Sequence, residues 1–190
     1  MSIRATKTDL FQTLSIWNGY LKKKVNLIAC GGTALTLLGI KESTKDIDLI
    51  VPSIDEYSYL LRQLISVGYR EITGYGWAKD RGFIFDLYPG KRIFTTELLE
   101  SPLKRGNHFP IKEFSSIYLG ILNNYDLIIS KLFRYSSVDV KDCLDLLRAR
   151  KKDIDMELLI ARFYETSSYD VSDEKNRRNF KAFLNEIGED

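Results

Sequence analysis

The chain has 190 residues, of which 44% are hydrophobic and 28% are charged, and its formal net charge is +2. This length predicts one compact domain, or one domain with a helical extension, and the composition is ordinary for a protein with a sizeable core. The small net charge excludes a strongly basic nucleic-acid binder, so any such contact needs a local patch of charge.

The first residues carry no long apolar stretch of the kind found in a signal peptide, and no window is apolar enough to span a membrane. Two cysteines, Cys30 and Cys143, make no disulfide framework, and a single histidine makes no zinc site. We therefore expect a cytoplasmic protein with reduced thiols and no membrane partner.

Apolar periodicity and turn residues predict alternating helices and strands in the first part of the chain. The predicted helices are 6–25, 32–39 and 53–67, and the predicted strands are 26–30, 46–51, 69–73 and 82–88. A capping box from Ser53 to Glu56 opens the third helix. Residues 91–115 are harder to interpret, although two leucines at 98–99 suggest a short helix there.

The rest of the chain is predicted to be an antiparallel strand pair followed by helices. The strands are 108–114 and 117–122, and the helices are 123–135, 137–151, 153–166 and 173–187, the first three capped by Asn123, Ser137 and Asp153. This pattern predicts an α+β fold. A mixed β-sheet flanked by helices would occupy residues 1–122, and a helical bundle extension would occupy residues 123–190.

Three aspartates fall inside predicted strands, where Asp is rare because its side chain competes for backbone hydrogen bonds. Alternate residues of a strand share a face, so Asp46 and Asp48 point the same way, and Asp86 lies in a later strand. Neighbouring carboxylates repel one another, and a divalent cation removes that cost. Hard oxygen ligands select Mg²⁺ or Mn²⁺, so the pattern predicts a metal site suited to phosphoryl transfer.

Gly31, Gly32 and Thr33 follow a predicted strand and open a predicted helix. Free backbone N–H groups would converge on an anion at such a turn, and glycine lets the backbone approach a phosphate without a Cβ atom in the way. The segment matches neither a Walker loop nor the three-glycine dinucleotide fingerprint. The phosphate site and the metal site would therefore be built from consecutive strands.

The pair Gly31 and Gly32, followed thirteen residues later by Asp46 and Asp48, resembles the signature of the DNA polymerase β-like nucleotidyltransferase superfamily. The resemblance implies that the two aspartates bind both metal ions. It also implies that Asp86 completes the catalytic set and helps to activate the acceptor hydroxyl. The set that would hold the triphosphate is Gly31, Gly32 and Thr33.

The helical part narrows this resemblance. Segments 127–134 and 139–146 resemble the helical region of stand-alone bacterial and archaeal nucleotidyltransferases, a group that includes toxins of abortive-infection and toxin–antitoxin systems. In such proteins a lysine on the first helix and an aspartate on the second face the nucleotide. Lys131 and Asp142 are the matching positions, so the resemblance implies that they bind nucleotide.

Each of these features also has a simpler interpretation. The two glycines alone would fit a tight turn, and the first two aspartates would fit the exposed face of an edge strand. Lys131 and Arg134 would fit surface cations on a helix, and Lys141 with Asp145 would fit a solvated ion pair. Cys30 is expected to be a small buried residue beside the site and not a nucleophile.

The sequence therefore predicts a Mg²⁺-dependent nucleotidyltransferase. It would transfer NMP from an NTP to a hydroxyl of an RNA end, a protein or a small molecule, and release pyrophosphate. Two alternatives stay open: the same activity in a toxin that has an antitoxin partner, or a nucleotide-binding or scaffold protein without turnover. All three expected acids are present, which favours an enzyme.

Overall fold

The computed structural model describes residues 3–188, and helices and short strands alternate through this part of the chain. The strands are β1 (Ala5–Thr6), β2 (Val25–Ala29), β3 (Ser43–Thr44), β4 (Asp46–Val51), β5 (Arg70–Glu71), β6 (Gly76–Ala78), β7 (Ile84–Pro89), β8 (Arg92–Ile93), β9 (Thr96–Glu97), β10 (His108–Glu113) and β11 (Ile117–Leu122). The helices are α1 (Lys7–Tyr20), α2 (Gly31–Leu37), α3 (Ile54–Ser66), α4 (Asn124–Arg134), α5 (Ser137–Ala149), α6 (Met156–Ser168) and α7 (Asp173–Ile187).

Seven strands form one mixed sheet in the order β10-β11-β2-β4-β7-β6-β5. Two neighbouring pairs are parallel, β11 with β2 and β4 with β7, and the other neighbours are antiparallel. After β11, the described residues contain helices and no further strand. The predicted α+β fold, with a mixed sheet flanked by helices and a helical C-terminal part, is confirmed.

The predicted domain boundary at residue 122 coincides with the end of β11, where the sheet gives way to helices. One hydrophobic cluster nevertheless runs through both parts, because α2 contacts α4 and α5. Met1, Ser2, Glu189 and Asp190, which the predicted domains include, lie outside the described residues. Within residues 3–188, no helix is long and apolar enough to cross a membrane.

Strand β4 lies in the middle of the sheet and is covered on both faces. On one face, Trp17 of α1 packs on Phe85 of β7 with their ring centroids 4.6 Å apart. On the other face, which carries the aspartates, Ile50 and Tyr88 are fully buried. The alternative of an exposed edge strand is therefore wrong, because β4 has a neighbouring strand on each side.

Several helix starts follow from local capping chemistry. Thr6 forms a capping box with Asp9 at the start of α1, and Asn123 accepts a 2.9 Å hydrogen bond from the backbone N–H of Asp126 in α4. The predicted box at Ser53 is half right. Its hydroxyl accepts from the Glu56 N–H, but the Glu56 carboxylate binds the backbone and side chain of Asn26 instead.

Other predicted bounds are wrong by a few residues or more. Helix α1 ends at Tyr20, so the lysines at 22–24 lie beyond it. The predicted caps of α5 and α6 were Ser137 and Asp153, but the observed caps are Ser136 and Asp155. The side chains of Ser136 and Asp155 accept hydrogen bonds from backbone N–H groups in the first turn of their helices. The short helix at 98–99 is absent, because this segment follows the small hairpin of β8 and β9 without helical backbone.

Candidate active site

Strands β4 and β7 bring the three predicted acids to the same face of the sheet. They pair in parallel, with Asp48 opposite Asp86 and Asp46 opposite Ile84. Partners on adjacent strands point to the same side, and residues two apart along a strand share that side. Asp48 and Asp86 are therefore neighbours across the strand pair, and Asp46 lies one step further along the same face.

The surroundings of Asp48 disfavour a free negative charge. The residue is 8% exposed, and its Oδ2 atom accepts a 3.2 Å hydrogen bond from the Gly32 N–H. Burial, and then the charge of Asp86, raise the pKa of Asp48 to about 7. Burial and the charge of Asp46 likewise raise the pKa of Asp86. These carboxylates share a site without a cation in direct contact with Asp48 among residues 3–188.

Asp46 is the most open of the three acids. Its side chain is 32% exposed and lies 3.9 Å from the Lys45 ammonium group. Across residues 3–188, no three His, Cys, Asp or Glu side chains converge closely enough to form a ready-made metal site. The donor set still fits a hard divalent cation, because it is made of carboxylate oxygens only.

The two glycines are required by the approach of neighbouring strands. Gly31 has φ +54°, and a Cβ atom there would lie 2.8 Å from the Cγ atom of Asp48. A Cβ atom on Gly32 would lie 2.6 Å from the Thr44 hydroxyl oxygen. Other residue types would therefore clash with these side chains. The two glycines do form a tight turn, as the simpler interpretation had it. This turn also packs directly against Asp48, one of the acids of the site.

Thr33 joins this turn to β4. Its hydroxyl accepts a 2.8 Å hydrogen bond from the Asp48 N–H and donates to the Asp46 carbonyl oxygen at 3.4 Å, and the side chain is buried. The hydroxyl of Thr33 and the N–H of Gly32 are therefore both engaged with β4. Their predicted contact with a triphosphate stays a prediction.

Lys131 and Asp142 contact each other inside the protein. The Lys131 ammonium group, 3% exposed, lies 2.7 Å from an Asp142 oxygen and 3.6 Å from Asp139. Lys41, which follows α2, binds the other Asp142 oxygen at 2.8 Å. Lys131 is thus not a surface cation. Sequence reasoning did not find Lys41, since its hydrogen bond to Asp142 spans 101 residues.

Arg134, on the last turn of α4, is the other residue whose placement the sequence left open. Its Nε atom donates to Asp139 at 2.7 Å, and its guanidinium group stacks over Phe94 with Cζ 4.8 Å from the ring centroid. Its charge and that of Lys131 act against the rise in the pKa of Asp48. The three-residue spacing from Lys131, which puts both side chains on one helical face, is the signal that would have found it.

Cys30 and Tyr88 are buried beside the acids and do not offer reactive groups. Burial, followed by the charge of Asp48, raises the pKa of each well above its ordinary value. Tyr88 packs between Tyr75 and Phe94, with ring centroids 5.1 Å and 4.9 Å away. The expectation that Cys30 is a small buried residue beside the site is confirmed, and Tyr88 is a core residue.

One cleft lies beside the acids and a second lies elsewhere on the protein. A cleft of about 300 Å³ beside Asp46 is also lined by Lys45, Arg81 and Phe83. A larger one, of about 700 Å³, lies away from the acids between the segment after β9 and helix α6, with Phe133 among its lining residues. The acids therefore do not line this larger cleft.

Comparison with known proteins agrees with this fold. A family model described as a nucleotidyltransferase of unknown function (DUF6036) matches residues 96–189, just under half of the chain. The matched part contains Lys131 and Asp142, whereas the glycine and aspartate motif precedes it. No curated protein matches the chain in sequence.

Solved structures with the same fold include two antibiotic-modifying enzymes. The lincomycin-bound lincosamide antibiotic adenylyltransferase LnuA aligns with TM-score 0.52 and 15% identity, over 76% of this chain and 98% of that chain. ANT(2″)-Ia in complex with adenylyl-2″-tobramycin aligns with TM-score 0.56 and 15% identity, over 85% and 98%. At such identity the likeness establishes the fold.

The partial family match and the shared fold are both consistent with the nucleotidyltransferase resemblance that the sequence predicted.

Proposed function

We propose that the chain is a Mg²⁺- or Mn²⁺-dependent enzyme that transfers NMP from an NTP to an acceptor hydroxyl and releases pyrophosphate. The observation that carries the proposal is the pairing of Asp48 with Asp86 on β4 and β7, with Asp46 on the same face. A group of carboxylates that resist joint ionisation is suited to a site that receives a cation together with its substrate.

The proposed metal ligands are Asp46, Asp48 and Asp86. Bound there, a divalent cation would stabilise the charge that develops on the transferred phosphate and on the leaving pyrophosphate. Asp48 supports this role because it is a buried carboxylate that no cation among residues 3–188 contacts directly. The Gly32 N–H and the Thr33 hydroxyl hold Asp48 and its strand in place.

In the proposed reaction, the acceptor oxygen attacks the α-phosphorus of the NTP, and the bond from that phosphorus to the pyrophosphate leaving group breaks. Asp86 takes the proton from the acceptor hydroxyl. Its raised pKa supports this role, because a general base works best when its pKa lies nearer to the operating pH. Lys131 and Asp142, held together in the interior, would shape the nucleotide side of the site.

We further propose ATP as the donor and a small molecule as the acceptor, in preference to an RNA end or a protein. Of the structural relatives named above, one is a lincosamide antibiotic adenylyltransferase and the other was solved in complex with adenylyl-2″-tobramycin. The cleft of about 300 Å³ that Asp46 lines is at the lower end of the range of small-molecule sites and supports an acceptor of that size.

The test is incubation with each labelled NTP, Mg²⁺, total RNA and a panel of small-molecule alcohols. We expect label transfer by the wild type and its loss in Asp48→Asn, which keeps the shape of the side chain. Asp55→Asn, an exposed carboxylate at the start of α3, is the matched control and should retain activity. Wild type that binds NTP but transfers nothing to any acceptor would establish the non-catalytic alternative.

The toxin alternative has a separate test. Growth arrest on expression of the wild type, absent when Asp46→Asn is expressed at the same level, would establish a toxic nucleotidyltransferase. Unimpaired growth would exclude the toxin alternative, and the labelling experiment then separates the small-molecule enzyme from the non-catalytic alternative.

A further inference from the structure

We propose that Arg134 binds the phosphate groups of the nucleotide, a role that nothing in the motif assigns to it. The inference rests on the proposed function, because it adds one residue to the same site. Arg134 is proposed because its side chain lies near the acids and has N–H groups free to bind a ligand.

The guanidinium group of Arg134 is held in one orientation. Its Nε and Nη2 atoms both donate to the carboxylate of Asp139, which is fully buried. Phe94 supports one face of the guanidinium plane. Two-point binding to a carboxylate, together with stacking on a ring, fixes both the position and the plane of the group.

One nitrogen of Arg134 is left over. The Nη1 atom makes no hydrogen bond to any of residues 3–188, and the side chain is 45% exposed. The group is thus a cation with a fixed plane and donors to spare. Arginine in this state is well suited to phosphate, because its planar N–H groups match the oxygens of a phosphate.

Arg134 lies near the acids through a short chain of contacts. Tyr88 follows Asp86 by two residues on the same face of β7, and its ring packs on Phe94 at 4.9 Å. Phe94 in turn carries the guanidinium group of Arg134. The positive charge of Arg134 also acts on both Asp48 and Asp86, which agrees with this placement.

The neighbouring cations are already occupied. Lys131 is buried and paired with Asp142, and Lys41 binds the same carboxylate from the other side. Moving either ammonium group to a ligand would break a buried ion pair. Arg134 can accept a phosphate without giving up Asp139, so it is the cation of this group that a nucleotide would meet first.

The experiment measures binding of tripolyphosphate and pyrophosphate, each with Mg²⁺, by calorimetry on the full chain. We expect Arg134→Gln to weaken tripolyphosphate binding about tenfold or more, which corresponds to one lost charge-assisted hydrogen bond. Arg148→Gln is the matched control, because Arg148 is an exposed cation with only a 3.5 Å contact to Asp145. It should bind as the wild type does.

Arg134→Gln also removes a partner of buried Asp139, so folding is checked by thermal unfolding. If that variant does not fold, Phe94→Leu decides, since it keeps both charges and removes only the support for the guanidinium plane. A several-fold loss of affinity in Phe94→Leu supports the proposal. Unchanged affinity in a folded Arg134→Gln, or in Phe94→Leu where it decides, overturns it.

The outcome is separable from that of the proposed function. Binding that depends on Arg134 in a protein that transfers no NMP would overturn the enzyme proposal and support the assignment of Arg134. Transfer of NMP by a protein whose tripolyphosphate affinity does not depend on Arg134 would support the enzyme proposal and overturn the assignment of Arg134.

Discussion

Gly31 and Asp48 lie so close together that a side chain at position 31 would overlap the carboxyl group of Asp48. The Cβ atom would stand 2.8 Å from Cγ of Asp48, and φ at Gly31 is +54°. The first motif glycine is therefore required by the acid that it faces, before any ligand is considered.

This relationship predicts a large loss of stability for Gly31→Ala. We expect the free energy of unfolding to fall by about 3 kcal/mol, the sum of left-handed backbone strain and overlap with Asp48. Gly39→Ala is the control, because Gly39 has φ +76° but no neighbouring atom within 4 Å. It should lose only about 1 kcal/mol. Urea denaturation measures both, and equal losses would contradict the role of Asp48.

The ion pairs around Asp142 predict a second difference. Asp142→Asn leaves Lys131 buried without its nearest charge partner and also deprives Lys41, so we expect a loss of about 3 kcal/mol or more in unfolding free energy. Asp145→Asn, on the same helix, removes pairs with exposed Lys141 and Arg148, and should cost less than about 1 kcal/mol. Similar costs in chemical denaturation would show that the buried pairs contribute no more than surface ones.

The raised pKa of Asp48 predicts a pH dependence of stability. The pKa is about 7 in the folded protein and 3.8 in its ordinary state, so between these values the native state holds a proton that the unfolded chain has released. The unfolding free energy therefore falls as pH rises through this window, by about 4 kcal/mol at most. The Asp48→Asn variant lacks this pH-dependent contribution to the unfolding free energy.

The measurement is the difference in unfolding free energy between Asp48→Asn and wild type from pH 4 to pH 8, without divalent metal. We expect the difference to shift in favour of the variant as pH rises. A difference that stays constant over this range would show that Asp48 ionises normally.

Local patterns predicted the elements that depend on neighbouring residues. The strand 46–51 and the helix 173–187 were predicted with their observed bounds, because alternation and helical periodicity are properties of short segments. The prediction was wrong for most of residues 91–115, up to the strand β10. Strands as short as β8 and β9 have too few residues to show an alternating pattern. The missed β6 has the same explanation.

The site divides in the same way. Asp46 and Asp48 were found because their spacing alone places them on one face. Asp86 was found because it interrupts one face of a later predicted strand, and the resemblance then joined it to the other two. That Asp86 is the register partner of Asp48 depends on the strand order of the sheet, which no local pattern contains. The contact of Lys41 with Asp142 likewise depends on how α2 and α5 pack, so it became visible only in the structure.

The pairing of Asp48 with Asp86 has a consequence for variation among related chains. Backbone hydrogen bonds between β4 and β7 set the separation of these two carboxylates, and the length of the intervening chain does not enter. The chain between the two strands, which includes α3, β5 and β6, can therefore differ in length while the acids keep their spacing, as long as β4 and β7 still pair.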